Sequence, residues 1–295
     1  MRIAITGASG LIGTALSAAL EEAGHDVLHV VRHTPTGPAE LHWDVDAGTI
    51  DAGALEGVEA VVHLAGENIG QRWSDDVRRD VLDSRVDGTR LIAETAAGLA
   101  SRPVLVCASA TGFYGDRGDE IVDEDSVPGT GFLADVVEAW EAAAQPARAA
   151  GLRTVHLRQG IVLSKDGGAL ARMLRPFRLG TGGRVGSGRQ WWSWVSLDDA
   201  VAAYLFALEQ PLAGPVNVVA PGAVTNQEFV KALGRALHRP AILPLPATAV
   251  KAAFGQMGEE MLLEGQRVVP KRLEAAGFTF GQPDIESGLA SALAD

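Results

Sequence analysis

Residues 6–13 read Thr6-Gly7-Ala8-Ser9-Gly10-Leu11-Ile12-Gly13. The segment follows an apolar run typical of a strand at residues 2–6 and opens a helical pattern over residues 11–23. Glycines here permit a tight turn, close approach of backbone amides to a ligand, and packing of the helix on the strand. The helix N-terminus adds partial positive charge. The pattern predicts a site for the pyrophosphate of a dinucleotide. Its predicted contacts are Gly7, Ser9, Gly10, Leu11, Ile12 and Gly13.

The rest of the first 160 residues alternates short apolar runs with helical patterns. Strands are predicted at residues 2–6, 26–31, 60–64, 104–109 and 153–157, and helices over 11–23, 74–99 and 133–149. Such alternation is typical of βαβ units. We therefore expect an α/β fold, a Rossmann-type doubly wound parallel sheet followed by a smaller C-terminal substrate lobe.

Val31 and Arg32 stand about 20 residues after the glycine turn, where an NAD site usually has an acidic residue for the ribose. A guanidinium cannot accept a hydrogen bond from the 2′-hydroxyl, but its planar fork suits a 2′-phosphate. The sequence therefore predicts NADP(H) over NAD(H), with Val31 and Arg32 as contacts. The alternative is an exposed arginine without a ligand.

Beyond residue 160 the alternation ends. A glycine-rich stretch at 180–188 precedes an aromatic strand predicted over 190–195, and helices are predicted over 197–209 and 226–237. Ser196 with Asp199, and Thr225 with Glu228, fit the capping box. We expect an NADP-binding Rossmann domain over residues 1–165 and the smaller lobe over 166–295, with part of 190–220 returning to the first domain.

The composition limits the partners. The net charge of −12 and pI near 5.0 argue against nucleic acid and anionic membranes. Cys107 is the only cysteine, which excludes an intrachain disulfide and favours a reducing cytoplasmic location. His29 falls in the strand predicted over 26–31, with His25 and His33 beside its two ends, so the three lie far apart and no metal site is expected.

The third predicted strand runs into Leu64, Ala65 and Gly66, at the sheet edge where open α/β sheets bind ligands. Small residues there let the chain pass beneath the ribose and nicotinamide, so these three are predicted cofactor contacts. Glu67 is either an acid or base, or a helix cap or surface carboxylate.

The glycine motif, Leu64-Ala65-Gly66 and Arg158-Gln-Gly-Ile-Val-Leu163 resemble the extended short-chain dehydrogenase/reductase superfamily, in its nucleotide-sugar epimerase-like branch. Other segments resemble an atypical NAD(P)-dependent epimerase/dehydratase-like subgroup, the YfcH-type epimerase family proteins. They include Gly66-Glu-Asn-Ile69, Ser84-Arg-Val-Asp-Gly-Thr89, Gly115-Asp-Arg-Gly-Asp119, Gly186-Ser-Gly-Arg-Gln-Trp191 and Leu263-Glu-Gly-Gln-Arg267. The resemblance runs end to end and implies an NADP-binding Rossmann lobe with a smaller C-terminal lobe.

The superfamily's usual chemistry needs a Tyr-x-x-x-Lys pair, in which lysine lowers the tyrosine pKa for proton exchange. Neither Tyr114 nor Tyr204 has a lysine four residues later. Where the motif would fall, the chain has Phe132 and Val136.

The resemblance implies roles for four further residues. Ser109 matches the serine that hydrogen-bonds the substrate, and Tyr114 is the remaining candidate proton donor, or else a packed core residue. Arg85 stands in place of an active-site asparagine and is expected, with Asp80, to contact the cofactor. Ser109 and Tyr114 are thus the predicted catalytic residues.

Two functions remain open. One is an NADP(H)-dependent epimerase or oxidoreductase acting on a small hydroxyl or carbonyl compound, sugar-like compounds included. In this function residues 180–188 are a mobile loop that presents Arg184, Arg189 or Gln190. The other is a non-catalytic NADP(H)-binding redox sensor or partner-binding module, with that loop as a structural hairpin. Monomer and homodimer are both compatible with the long predicted helices.

Overall fold

The structure is a computed structural model that describes residues 1–294. Its strands are β1 (Arg2–Thr6), β2 (Asp26–Val31), β3 (Glu40–Asp44), β4 (Thr49–Ile50), β5 (Ala60–His63), β6 (Val104–Ala110), β7 (Ile121–Val122), β8 (Thr154–Gln159), β9 (Ile161–Leu163), β10 (Trp191–Trp192), β11 (Trp194–Ser196), β12 (Gly214–Val218), β13 (Val224–Thr225) and β14 (Arg267–Val268). Its α-helices are α1 (Leu11–Glu22), α2 (Asp75–Gly98), α3 (Phe132–Ala142), α4 (Gln145–Ala149), α5 (Gly168–Arg178), α6 (Leu197–Glu209), α7 (Asn226–Ala236), α8 (Ala247–Phe254), α9 (Gln256–Gly258), α10 (Lys271–Ala275) and α11 (Ile285–Leu293). Short 3₁₀ turns lie at Ala52–Leu55 and Thr111–Tyr114, and a π-helical turn at Glu259–Leu263.

The central sheet has eight strands in the spatial order β12-β8-β6-β5-β1-β2-β3-β4. All neighbours run parallel except the short β4, which is antiparallel to β3. The chain builds outward from β1 through β2 to β3 on one side, and from β5 through β6 and β8 to β12 on the other. The order therefore reverses between β1 and β5, and a crevice at their carboxyl ends is where such sheets bind ligands. The predicted doubly wound sheet is confirmed.

The sheet is covered on both faces, which explains its continuous apolar strands. One core cluster joins Ile3 and Ile5 of β1 to α1 and α6, and a second joins Ala4 to α2 and α4. Side chains of Ile3, Ala4 and Ile5 are fully buried. Alternate residues of β1 thus fill the two cores, and this fixes where the strand ends.

The predicted bounds hold to within two residues for the five strands and for α1 and α2. The predicted helix over 133–149 is wrong, because the chain breaks it into α3 and α4. Pro146 lies in the first turn of α4. Proline has no amide hydrogen and its ring clashes with the carbonyl of residue i−4, so it disfavours a continuous helix through this position.

The predicted aromatic strand over 190–195 is two short strands. Strand β10 pairs antiparallel with β13, whereas β11 pairs parallel with β9. Between them, the Ser193 hydroxyl donates to the Gln266 carbonyl and accepts from the Val268 amide. Trp192 and Trp194 are buried in one cluster with α5, α7 and α11, which forms the core of the C-terminal lobe.

Both predicted helix caps are present, but only one is a full capping box. Thr225 and Glu228 bond reciprocally. Ser196 accepts from the Asp199 amide, while the Asp199 carboxylate accepts from the amides of Gly281 and Gln282 instead of turning back. This buried carboxylate fastens the chain before α11 to the start of α6.

Two further observations concern the chain as a whole. Strand β12 joins the central sheet at the edge beside β8, so the chain returns to the sheet after crossing the C-terminal lobe. Within residues 1–294, no helix has both the length and the apolar character that crossing a bilayer would demand.

The docking of α11 supplies a stability test. A Cβ on Gly288 would lie 2.2 Å from the ring of the fully buried Trp194. Gly288→Ala should therefore lower the free energy of unfolding by about 1–3 kcal/mol through overpacking. Gly98→Ala is the matched control, because its Cβ would meet nothing within 4 Å at the end of α2. Urea unfolding midpoints measure both, and equal midpoints for the two variants would contradict this packing.

Candidate functional site

The crevice begins where the turn after β1 meets the end of β5. Gly7 has φ +69°, and a Cβ on it would lie 2.8 Å from the Ala65 nitrogen and from the Leu64 carbonyl carbon. The Thr6 hydroxyl oxygen accepts from the amides of Leu64 at 3.1 Å and Ala65 at 3.2 Å. The two strand ends are therefore clamped together at the point where the sheet order reverses.

Helix α1 starts directly above this clamp. A Cβ on Gly13 would lie 2.2 Å from the Gly7 carbonyl oxygen, so only glycine allows the helix to sit this close to the turn. The N-cap is Gly10, which offers no side-chain acceptor, and the first turn carries no acidic residue. Ser9 and Gly10 are exposed. The first amides of the helix thus face outward without a side-chain partner, which suits an anion.

The C-terminal lobe also contacts the start of α1. A Cβ on Gly167 would lie 3.3 Å from Cδ1 of Leu11, the first residue of α1. Farther along, the Arg172 guanidinium donates to the Gly70 carbonyl. The start of α5 and the loop after β5 therefore close two sides of the crevice.

Arg32 directly follows β2, which ends at Val31. Its side chain is exposed and has no hydrogen-bond or ion-pair partner anywhere in the described chain. Glu40, across the same loop, accepts from the amide and hydroxyl of Thr36 and lies 3.5 Å from His33. The guanidinium at the end of β2 is thus free to bind an anion.

Arg85 lies on α2 against the strand end after β5. Its Nη1 donates to the carbonyls of Glu67 at 3.0 Å and Val81 at 3.1 Å, and its guanidinium stands over the Trp140 ring at 5.1 Å. A Cβ on Gly66 would lie 3.3 Å from the guanidinium carbon. Burial lowers the pKa of Arg85 to about 10 and the charge of Glu67 opposes this, so the side chain stays cationic at neutral pH.

The structure does not bring Asp80 to this place. Asp80 is exposed on α2. Residues five apart on a helix point about 140° apart, so Asp80 and Arg85 face different sides. Of the two residues, Arg85 lies against Gly66 at the strand end, while the cofactor contact by Asp80 stays a prediction.

The Ser109 side chain belongs to a buried polar network. Its hydroxyl donates to Oε1 of Glu141 at 2.6 Å, and Glu141 holds Arg158 through two bonds of 2.7 and 2.8 Å. Burial alone would raise the pKa of Glu141, but the bonds and charge of Arg158 outweigh it and hold the pKa below its ordinary value. The proton of Ser109 is therefore committed to a carboxylate within the protein.

Tyr114 extends the same network and is fully buried. Its hydroxyl accepts from Nη1 of Arg158 at 3.1 Å and donates to Oδ1 of Asn217 at 2.7 Å. Burial raises the pKa of Tyr114. The geometry does not favour the predicted role of proton donor, because the only proton of this phenol already goes to Asn217.

Phe132, at the place expected for the superfamily's tyrosine, packs against Trp73 with ring centroids 4.9 Å apart. The amides of Phe132 and Leu133 donate to the carboxylate of Glu260 at 3.2 and 2.9 Å. Glu260 thus caps α3 from the C-terminal lobe, where Gly131 offers no side chain. Phe132 itself carries no hydroxyl, so it cannot exchange a proton as the superfamily's tyrosine does.

Residues 180–188 are fastened along their length. The Leu243 and Leu245 amides donate to the carbonyls of Gly182 and Arg184. A Cβ on Gly183 would lie 1.9 Å from the Leu243 carbonyl oxygen. The glycines permit close packing against residues 243–245, which does not favour the predicted mobile loop. In the part of the chain that the structure describes, no group of three His, Cys, Asp or Glu side chains is arranged to hold a metal ion.

The sequence does not identify the residues whose hydrogen bonds position the site. Thr6 stands beside the glycine motif, but the sequence does not show that its hydroxyl bonds the amides of Leu64 and Ala65. Glu141, Asn217 and Glu260 act on residues far away in the chain, so no local pattern identifies them.

The fold and the glycine clamp define an extended short-chain dehydrogenase/reductase with a nucleotide-binding Rossmann sheet. Residues 3–220 match the NAD dependent epimerase/dehydratase family, and residues 245–292 match a domain of unknown function, DUF1731. The chain belongs to the NAD dependent epimerase/dehydratase family.

Relatives that match over nearly the whole chain support this family assignment. Epimerase family protein Mb2239 of Mycobacterium bovis is 49% identical over 292 residues, covering 98% of this chain and 97% of that protein. Human epimerase family protein SDR39U1 is 38% identical over 301 residues and all of both chains. A crystal structure of human SDR39U1 (isoform 2) with NADPH superposes with a TM-score of 0.89 at 37% identity, covering 99% of each chain.

Two buried histidines give the fold a pH dependence. His63 and His156 each have a pKa lowered from 6.5 to about 4, chiefly by burial; the charge of Arg85 adds to this for His63, while Glu141 opposes it for His156. The unfolded chain therefore takes up protons first as the pH falls. Stability should drop between about pH 6.5 and pH 4, by about 2 kcal/mol per histidine at pH 5.

Urea unfolding at about pH 7.5 and pH 5 measures this loss. His63→Gln should reduce the difference between the two pH values, even though removal of the 2.8 Å bond to Thr6 lowers stability at both. His42→Gln is the control, because His42 is exposed. An unchanged difference in His63→Gln would contradict the account.

Proposed function

We propose that this protein binds NADP(H) in the crevice between β1 and β5. The observation that carries the proposal is the pairing of an uncapped, glycine-lined start of α1 with the free guanidinium of Arg32. Both are sites for anions, and NADP(H) carries two phosphate groups that suit them: a pyrophosphate for the helix start and a 2′-phosphate for the guanidinium. The human relative crystallised with NADPH supports the choice of cofactor.

In this proposal the residues have separate tasks. The pyrophosphate binds to the turn and the start of α1, at Gly7, Ser9, Gly10, Leu11 and Ile12. Gly13 lets the helix approach the turn. Arg32 and Val31 take the adenosine end and its 2′-phosphate. Leu64, Ala65 and Gly66 form the floor below the ribose and nicotinamide. Arg85 supplies a positive charge beside Gly66, in a chain without the superfamily's lysine.

The proposed reaction class is hydride exchange with a small hydroxyl or carbonyl compound. Bound NADPH would supply the hydride. The contacts between the lobes support an enclosed substrate space, since Arg172 and Glu260 tie the C-terminal lobe to the loop after β5 and to α3. The division into a Rossmann domain over 1–165 and a substrate lobe over 166–295 is part of this proposal, as is a cytoplasmic location.

A non-catalytic NADP(H)-binding sensor is the second candidate. It is favoured by the apolar Phe132 and by the inward bonding of Ser109 and Tyr114, which leave no evident proton relay. In that case binding of the cofactor would be the signal, and it would act through the contacts between the lobes.

Arg32→Glu tests the cofactor. The variant should weaken NADPH binding by about tenfold or more, since charge-assisted bonds to phosphate contribute about 1.5–3 kcal/mol, and should leave NADH binding nearly unchanged. Fluorescence titration gives both dissociation constants. Arg79→Glu changes the net charge equally on an exposed part of α2 and should have little effect. Equal affinity of the native protein for NADPH and NADH would refute the proposed role of Arg32.

Ser109→Ala and Tyr114→Phe test the buried network. Both should lower the free energy of unfolding by about 1–3 kcal/mol, because Ser109→Ala removes a hydrogen bond to the Glu141 carboxylate, and Tyr114→Phe leaves Asn217 Oδ1 and Arg158 Nη1 without this partner. NADPH oxidation over a panel of carbonyl compounds should stay within a few-fold of the native rate if there is turnover. Loss of turnover at unchanged stability would support the predicted catalytic roles of Ser109 and Tyr114. Tight NADPH binding without turnover in the native protein would favour the sensor.

A further inference from the structure

The negative charge of this protein is unevenly distributed. Residues 167–258 carry nine arginines and lysines but four acidic residues, and residues 167–197 carry five arginines and no acidic residue. The whole chain has a net charge of −12. A basic region in the C-terminal lobe is therefore hidden in the overall balance.

Much of this charge lies on one surface, formed by residues 175–179 at the end of α5 and residues 231–243 after the middle of α7; we call it the basic apolar face. The two segments are in contact. Nε of Arg239 donates to the Arg178 carbonyl at 3.1 Å, and the Leu243 amide donates to the Gly182 carbonyl at 3.2 Å. The two segments therefore lie side by side on the lobe.

Two arginines of this face have no partner. The side chains of Arg175 and Arg178 are exposed and make no hydrogen bond or ion pair with any residue from 1 to 294. Arg235 pairs with Glu286 at 2.6 Å, and the charge of Lys231 interacts with Glu228. The positive charges of Arg175 and Arg178 are thus available to an external partner.

The same face exposes large aliphatic side chains. Leu179 is 70% exposed, Ile242 is 76% exposed and Leu243 is 52% exposed. A single exposed leucine is ordinary, but three beside unpaired arginines form a mixed apolar and basic patch. Its only Phe, Tyr or Trp residue is Phe177, which is buried.

We propose that the basic apolar face binds the surface of a bilayer that contains anionic lipids. Such a surface attracts clustered Lys and Arg and takes up aliphatic side chains at the headgroup boundary, without requiring a matching shape. Exposed arginines complement the anionic headgroups, and the exposed aliphatic side chains beside them can enter the boundary between headgroups and acyl chains.

The net negative charge does not prevent this contact. At physiological salt, charges more than about 8 Å from the membrane are largely screened, so the charges on the contacting face decide the attraction. This also qualifies the expectation from composition, which treated the chain as uniformly acidic. The contact lies on the C-terminal lobe and is independent of whether the crevice binds NADP(H).

Sedimentation with lipid vesicles tests the proposal on the full chain. The protein should sediment with vesicles of equal parts phosphatidylglycerol and phosphatidylcholine at about 0.1 M salt, should be released at about 0.5 M salt, and should not sediment with phosphatidylcholine alone. Arg175→Ala with Arg178→Ala should lower the partition coefficient by on the order of tenfold to thirtyfold, since each basic residue contributes about fivefold. Ile242→Ser should also lower it.

Arg79→Ala with Arg90→Ala is the matched control, because it removes the same charge from exposed positions on α2. It should leave the partition coefficient unchanged. No sedimentation with the anionic vesicles overturns the proposal, as does an equal loss in the control. Binding of an acidic amphipathic peptide by this face, with no binding to vesicles, overturns it in favour of a protein partner.

Discussion

No side chain fits between the Gly7 turn and the backbone at the end of β5. A Cβ on Gly7 would lie 2.8 Å from the backbone of Leu64 and Ala65, and one on Gly13 would lie 2.2 Å from the Gly7 carbonyl oxygen. This contact sets how closely β1, β5 and α1 meet, and the Thr6 hydroxyl bonds it together. Since the strand order reverses here, the same constraint that packs the sheet also opens the crevice for a ligand.

The second constraint is the buried ion pair of Glu141 and Arg158. It joins α3 to β8, reaches β6 through Ser109, and reaches β12 through Tyr114 and Asn217. Removing one partner of such a pair is costly because the other charge stays buried. The helix that carries the superfamily's proton relay is here attached to the sheet by this network. Hydroxyl groups that resemble catalytic ones therefore have a structural use in this chain.

The sequence predicted the fold well because its strongest patterns are local. Buried apolar runs gave β1 and β2 their correct bounds, and the glycine spacing located the crevice. The hydrogen-bond partners of Ser109 and Tyr114 could not be predicted, for a physical reason. Tyr114 depends on Asn217, 103 residues away, and Ser109 on Glu141, 32 residues away, so the direction of their hydroxyls follows from tertiary packing. The break after α3 was local, since Pro146 is visible in the sequence.

The central claim is that the glycine clamp and Arg32 together form an NADP(H) site. A crystal structure of this protein with NADPH tests it most directly. The account predicts pyrophosphate oxygens on the amides at the start of α1, the 2′-phosphate on the Arg32 guanidinium, and Ser109 and Tyr114 still bonded to Glu141 and Asn217. A 2′-phosphate turned away from Arg32, or a cofactor bound outside the crevice between β1 and β5, would contradict it.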